Sequence, residues 1–251
     1  MKETPLKKPK ILVFDIETTP NLGYVWGKWQ QDVIEYKTEW TMLCFAYKWL
    51  GEKKTIAVGQ NKFSEEILVR RLHSLFEEAD IVIAHNGNSF DVKMCNAKFI
   101  EFGLDPPSFY KSIDTKLVAK RYFRFNSNKL DDLGNLLGLG RKIQTGGFQL
   151  WTGCMAGDKK SWDLMLKYNK QDVVLLEKVY LKLRPWMDNH PAINLLVDKP
   201  DACPKCGGGP LHKRGTVKYN KTTVVQRYKC TSCGGWSQSR TSQRTMIEFV
   251  N

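Results

Sequence analysis

The chain has 251 residues, enough for one good-sized domain and a small accessory unit, with an ordinary 42% of hydrophobic and 12% of aromatic residues. Its longest apolar runs, such as Ile81 to Ala84, are far too short to span a bilayer, and the lysine-rich stretch from Met1 to Lys10 lacks an apolar signal core. No membrane partner and no secretion are therefore expected, a cytoplasmic protein is the default, and the net charge of +13 suits a polyanionic partner bound in a salt-sensitive way.

Lys10 to Ile16 is predicted to form a buried strand, because Ile11, Leu12, Val13 and Phe14 are apolar and β-prone. Thr18-Thr19-Pro20 closes it, since Pro20 cannot donate to a sheet ladder. Thr41 to Leu50 and Thr55 to Val58 read as two more strands, joined by Gly51-Glu52-Lys53-Lys54, which gives a mixed sheet an antiparallel start. Ser64 is suited to cap a helix with Glu65 and Glu66 in its first turn and Ile67, Leu68, Leu72, Leu75 and Phe76 on one face.

A short buried strand at Asp80 to Ala84 follows, then a helix from Phe90 to about Phe102 ended by Gly103, and a strand at Lys111 to Leu117. Leu130 to Leu139 is a short helix. Arg141 to Lys160, rich in Gly and Lys and without periodicity, reads as a loop or lid near the substrate. The longest helix runs from Trp162 to Leu183 and is stopped by Pro185. Residues 1–190 thus make an α/β domain, 191–202 (with Pro191, Pro200 and Asp201) a linker, 203–236 a second unit, and 237–251 a tail that turns apolar at Met246 to Val250.

Asp15 and Glu17 are two apart on the first strand, so both side chains point to one face. An exposed pair on an edge strand is the competing reading; the uniformly apolar residues before them argue for a central strand. Asp91 is the second residue of the helix that follows the Asn86-Gly87 turn, a first-turn position where an acid is favourable in any case, and His85 reads as structural. Asn86 is suited to hold the turn through its side chain. Tyr168 and Asp172, four apart on the long helix, share a face. Asp114, Asp131 and Asp132 are read as capping or paired acids. Trp151, Trp162 and Arg121 to Arg124 are candidates to guide a strand.

These clusters, Phe14-Asp15-Ile16-Glu17-Thr18-Thr19-Pro20, His85 to Asp91, and Tyr168-Asn169-Lys170-Gln171-Asp172, resemble the three motifs of the DEDD, or DnaQ-like, 3′–5′ exonucleases. The resemblance covers roughly residues 9–186. Tyr168 matches the tyrosine subclass; the histidine subclass would place His where this chain has Lys167. The resemblance implies a ribonuclease H-like mixed five-stranded sheet flanked by helices. It also implies two catalytic Mg²⁺ or Mn²⁺ held by Asp15, Glu17, Asp91 and Asp172, with Tyr168 positioning the attacking water.

Of seven cysteines, four form two Cys-x-x-Cys-Gly knuckles, Cys203 with Cys206 and Cys230 with Cys233. Four thiolates suit a closed tetrahedral Zn²⁺ site, and β-prone Thr216 to Asn220 and Thr223 to Lys229 suggest a hairpin between the knuckles; the unit resembles a zinc ribbon, a small β domain. Cys44, Cys95 and Cys154 are expected to be buried thiols. Residues 198–251 carry 10 Lys/Arg against 3 Asp/Glu, and Lys213, Arg214, Lys218, Lys221, Arg227 and Lys229 with Tyr219, Tyr228 and Trp236 suit phosphate contact and base stacking. A stability module or a protein-docking patch is the alternative.

The expected function is a metal-dependent 3′–5′ exonuclease on DNA, single-stranded by preference, releasing 5′-mononucleotides. The alternatives are a 3′–5′ exoribonuclease and a zinc-ribbon nucleic-acid-binding factor with an inactive site. With no polymerase domain following, a proofreading role would call for a polymerase or replication partner.

Overall fold

The computed structural model describes residues 9–29, 31–197, 199–219 and 223–242. Met1 to Lys8, Lys221 and the apolar end of the tail lie outside the described residues, as do Asn220 and the side chain of Tyr219. The chain forms two compact units: one holds Lys10–Lys120 and Arg124–Val179, the other Arg121–Phe123 and the chain from Tyr180 onward.

The first unit is built on a mixed five-stranded sheet flanked by helices, of ribonuclease H-like fold. Its strands are β1 (Ile11–Thr18), β4 (Met42–Trp49), β5 (Ile56–Gly59), β6 (Ile81–Ala84) and β7 (Lys111–Asp114), in the order β5-β4-β1-β6-β7. β1 runs antiparallel to β4 and parallel to β6, so it is central, and Leu12, Val13 and Phe14 have no exposed surface. The pairing with β4 shifts register between Glu17 and Thr18, which ends the regular ladder just past the second acid. Between β1 and β4 a hairpin of β2 (Leu22–Tyr24) and β3 (Glu35–Thr38) is inserted. The sequence reading did not find it, because both strands are short and largely exposed and so lack a buried alternation.

Helix α1 (Glu65–Glu78) is capped by Ser64, whose Oγ accepts the Ile67 N–H at 3.4 Å. Leu68, Val69, Leu72 and Phe76 are its buried residues; Ile67 is exposed, so the core face lies one residue round from the expected stripe. Phe76 meets Phe14 and Phe99 edge to face at 5.1 and 5.7 Å, joining α1 to the sheet and to α2 (Asp91–Glu101). Gly103 ends α2 with φ +67°.

The strand expected at Lys111 to Leu117 stops at Asp114, and Thr115–Tyr122 is a helix, α3. The reason is Asp114 itself: its Oδ1 accepts the N–H groups of Lys116 and Leu117 at 2.9 and 3.2 Å, the geometry of a helix cap. α4 (Leu130–Leu136) follows. Inside the stretch read as a loop, Gln149–Met155 is helical, α5, which buries Leu150 and Cys154 against Leu43 and Cys44. The long helix α6 (Lys159–Leu183) starts three residues before Trp162. Trp162 is buried beside Leu43 and Met165, so it is a core residue and guides no strand. A largely buried ion pair, Lys48 with Glu177, ties α6 to β4, and Glu177 also accepts the Gly51 N–H at 3.1 Å.

In the second unit, α7 (Ile193–Leu196) lies within the stretch read as a linker. β8 (Leu211–Tyr219), β9 (Val224–Cys230) and β10 (Trp236–Gln238) form an antiparallel sheet in the order β10-β9-β8. β8 begins five residues before the predicted Thr216. Among the described residues no helix is long and apolar enough to cross a membrane.

Candidate active site

Alternation along β1 sends Phe14 and Ile16 into the core and leaves Asp15 and Glu17, each partly buried, on the opposite face. Across from them, Asp172 is fully buried on α6. Carboxylate oxygens of Asp15, Glu17 and Asp172 all lie within 4.8 Å of one another.

Asp91 stands beside this triad rather than in it. It is buried at the start of α2, and its Oδ1 accepts the Ile16 N–H at 3.2 Å, at a point of β1 where β6 has already ended. The turn that delivers it is tightly made. Asn86 takes φ +69°, and a Cβ at Gly87 would lie 2.3 Å from that of Ala84, so only glycine fits there. Asp114 holds the turn, accepting the N–H groups of Asn86 and Asn88 at 2.9 and 3.2 Å while capping α3. The Asn86 side chain does not do this work; its Oδ1 accepts from Lys116 Nζ at 3.1 Å. His85 is structural, its ring nitrogens 2.8 Å from Thr115 Oγ1 and 2.9 Å from the Asn128 carbonyl, and burial lowers its pKa to about 4.

Four desolvated carboxylates so close together resist ionising together. Burial, then the charges of Asp91, Glu17 and Asp172, push Asp15 well above the usual carboxylate range. Burial raises Glu17 to about 8, Lys142 opposing and Asp172 and Asp91 adding. Asp91 rises to about 6 through burial, against the stabilising N–H of Ile16. Asp172 is raised by burial and held back by Lys142. Burial and the Asp172 charge raise Tyr168, which is therefore a neutral phenol and no base.

Two residues of the site carry no role in the sequence reading. Asn169, fully buried, donates Nδ2–H to Asp15 Oδ2 at 2.7 Å, which leaves that carboxylate one orientation. Its spacing of three from Asp172 on a helix is a signal that could have found it. Lys142 places Nζ 2.5 Å from Asp172 Oδ2 and 3.0 Å from the Tyr168 hydroxyl. Asp131 positions Lys142, accepting its backbone N–H at 2.7 Å while pairing with Arg141. Asp132 accepts from Ser127 Oγ at 2.5 Å. No periodic pattern marks Lys142.

The acidic site fits a hard divalent cation. Its donors are all oxygen, and Asp172 Oδ1 is buried with no hydrogen-bond partner among the described residues, an arrangement that is costly unless something cationic meets it. Beside it lies a cleft of about 410 Å³ lined by Pro20, Thr145, Gly147, Phe148 and Trp151, and the Trp151 ring meets Tyr168 edge on at 6.4 Å.

The cysteine cluster in the second unit is compatible with a zinc ribbon. The Sγ atoms of Cys203 and Cys233 are 3.8 Å apart and those of Cys206 and Cys230 3.7 Å, far beyond the ~2.05 Å of a disulfide and close to the ~3.8 Å edge of a tetrahedron with metal–sulfur bonds of ~2.3 Å. The two knuckles match: Gly207 and Gly234 adopt φ +68° and +73°, and the next residues, Gly208 and Gly235, each point an N–H at a cysteine sulfur at 3.4 Å. Cys44, Cys95 and Cys154 are buried thiols.

A family model described as the RNase_H superfamily matches residues 12–184. A DNA polymerase III PolC-type of Ureaplasma parvum serovar 3 (strain ATCC 700970) is 30% identical over 70 residues, which are 28% of this chain and 5% of that protein. Among solved structures, the family B DNA polymerase from the hyperthermophilic archaeon Pyrobaculum calidifontis is similar with a TM-score of 0.52 at 12% identity, over 88% of this chain and 32% of that one. At that identity the likeness speaks for the fold alone. The chain thus spans a small part of the length of either polymerase.

Proposed function

Because the match over residues 12–184 makes the chain a member of the ribonuclease H superfamily, we propose that it is a metal-dependent nuclease and, more closely, a 3′–5′ exonuclease of the tyrosine subclass. Its substrate is DNA, single-stranded by preference, and its products are 5′-mononucleotides. The observation that carries this reading is the convergence of carboxylate oxygens of Asp15, Glu17 and Asp172 within 4.8 Å of one another, with Asp91 alongside and an Asp172 Oδ1 that has no hydrogen-bond partner among the described residues. The order of the three motifs supports the 3′–5′ direction, and the partial likeness to a DNA polymerase III PolC-type supports DNA as substrate and a replication partner.

Asp15, Glu17, Asp91 and Asp172 would hold two Mg²⁺ or Mn²⁺, and the four cysteines one Zn²⁺. Bound there, the divalent cations supply neutralisation of the scissile phosphate and a more acidic water. Asn169 fixes the Asp15 carboxylate before substrate arrives. Tyr168, kept protonated, orients the attacking water through its Oη. Lys142 brings a positive charge beside Asp172, and the cleft of Pro20, Phe148 and Trp151 takes the base of the terminal nucleotide.

The same Lys142 favours one alternative, a nucleic-acid-binding protein whose acidic site is plugged by its own ammonium. Matched 3′-labelled and 5′-labelled single-stranded DNA, duplex DNA and RNA, incubated with Mg²⁺, Mn²⁺ or neither, separate the readings. The expected result is metal-dependent release of mononucleotides from the 3′ end of single-stranded DNA. Internal fragments appearing first would sink the exonuclease reading, and tight binding without turnover would establish the alternative.

A further inference from the structure

The second unit contains a cavity of about 720 Å³, the size of a small-ligand site, lined among others by Trp186, Trp236, Lys218 and Arg227. We propose that this groove binds single-stranded nucleic acid, with Trp186 and Trp236 stacking on bases and Lys218 and Arg227 meeting phosphates. The inference takes its ligand class from the nucleic-acid reading above and adds the site.

The geometry follows from the sheet. Gln238 pairs with Arg227, and Lys218 with Val225, so Trp236, Arg227 and Lys218 come from three adjacent strands and, by alternation, share one face. Arg227 lies over the Trp236 ring at 5.3 Å, which joins a cation to a stacking platform. The other wall is the single turn Arg184–Trp186. Phe123 supports Trp186 edge on at 5.4 Å, yet 64% of Trp186 remains exposed, as does 45% of Trp236. Two large aromatic rings left in solvent around one concavity are poor stability elements and good base platforms.

The polar groups that do not suit a polyanion are already engaged. Asp188 accepts from the Tyr122 hydroxyl and pairs with Arg121, and His190 is bound to Tyr180 Oη at 2.8 Å. Lys205 is buried and donates to the Pro185 carbonyl at 2.7 Å, bracing the wall. In sequence, the stretch 198–251 holds 10 Lys/Arg against 3 Asp/Glu, which complements a phosphate backbone.

Binding is to be measured by fluorescence anisotropy on the full-length chain carrying Asp15→Asn, in zinc-replete, magnesium-free buffer. The probes are labelled oligothymidylate and oligouridylate of about fifteen nucleotides, near the upper span of a single-strand site. Trp186→Ala and Trp236→Ala should each weaken binding about tenfold, with Phe at either position restoring most of it. Lys218→Ala with Arg227→Gln should flatten the slope of log affinity against log salt by about 1.4. Full affinity in the tryptophan double variant overturns the proposal, and so does an unchanged salt slope in the cation variant, whose exposed Lys218 carries little folding risk. The two probes tell DNA from RNA. Since no turnover is read, failure here leaves the exonuclease reading intact, and loss of that reading leaves this test standing.

Discussion

Lys142 reaches Asp172 from a different part of the chain, its Nζ 2.5 Å from Oδ2, and so one carboxylate of the acidic site already has a cation. Burial would lower the Lys142 pKa, but the Asp172 charge and hydrogen bond outweigh it and keep the side chain an ammonium. Lys142→Met should therefore raise affinity for Mg²⁺ or Mn²⁺ by about tenfold or more, since one charge–charge interaction in a partly hydrated site is worth about 1–4 kcal/mol. Calorimetric titration of both proteins measures this. Equal or weaker metal binding in the variant would show that the ammonium does not compete.

Asp15→Asn should separate activity from stability. Turnover should fall by about a thousandfold or more, the order of loss when a charge-stabilising group leaves the reaction centre. The metal-free fold should instead gain stability, because a desolvated member of a like-charge cluster becomes neutral. Thermal unfolding without divalent metal, beside a nuclease assay with it, tests both halves. A destabilised variant would contradict the electrostatics.

The pH dependence has a definite sign. The clustered carboxylates titrate above their usual range, so the metal-free folded chain holds protons that the unfolded chain has released. Their contribution is fully present below about pH 4 and is lost as pH rises through about 6 for Asp91 and about 8 for Glu17. His85 and His190, both lowered to about 4 by burial, act in the opposite sense below about pH 6.5, but as two groups against four. The melting temperature without divalent metal should thus fall between pH 6.5 and 8 by linkage, and Glu17→Gln should flatten the fall. A melting temperature that rises over this window would refute the assignment.

Breaking the Lys48–Glu177 pair should be costly. Both side chains are largely buried, and truncating one partner leaves an uncompensated charge, at about 3–5 kcal/mol. Lys48→Met should lose that much in a denaturant titration, while Lys48→Met with Glu177→Leu should recover most of it. A double variant as unstable as the single one would mean the loss came from packing.

For the second unit, one zinc per chain is expected, and Cys203→Ser should abolish it. A ribbon this small depends on its metal to fold, so limited proteolysis of the variant should cut within residues 203–236 and spare the first unit. Resistance equal to the parent chain would show that the ribbon folds without metal.

What could be read from sequence was local. Asp15 and Glu17 fell on one face because strand alternation is fixed by the backbone, and Tyr168 and Asp172 because a helix turn spaces residues four apart. The cysteine knuckles announced themselves by spacing. Lys142 did not, because it sits in a segment without periodicity and reaches the site through a backbone bond to Asp131. The Asp114 cap misled the reading of Lys111 to Leu117: apolar content suggested more strand, and a side-chain hydrogen bond ended it. α5 was hidden for a related reason, since seven residues give little helical period and its burial against Leu43 and Cys44 is a tertiary property.

β1 is hydrogen-bonded on both sides, antiparallel to β4 and parallel to β6, while carrying two of the acids. With Ile11–Val13 held by β6, an inserted or deleted residue just before Phe14 would turn Phe14 and Ile16 outward and bury both acids in the core. Substitutions within this segment can vary the chemistry by degrees, but a change of its length reverses the strand. Length variation among descendants of this chain should therefore collect in places such as the Leu22–Thr38 hairpin and be absent from the seven residues that end at Glu17.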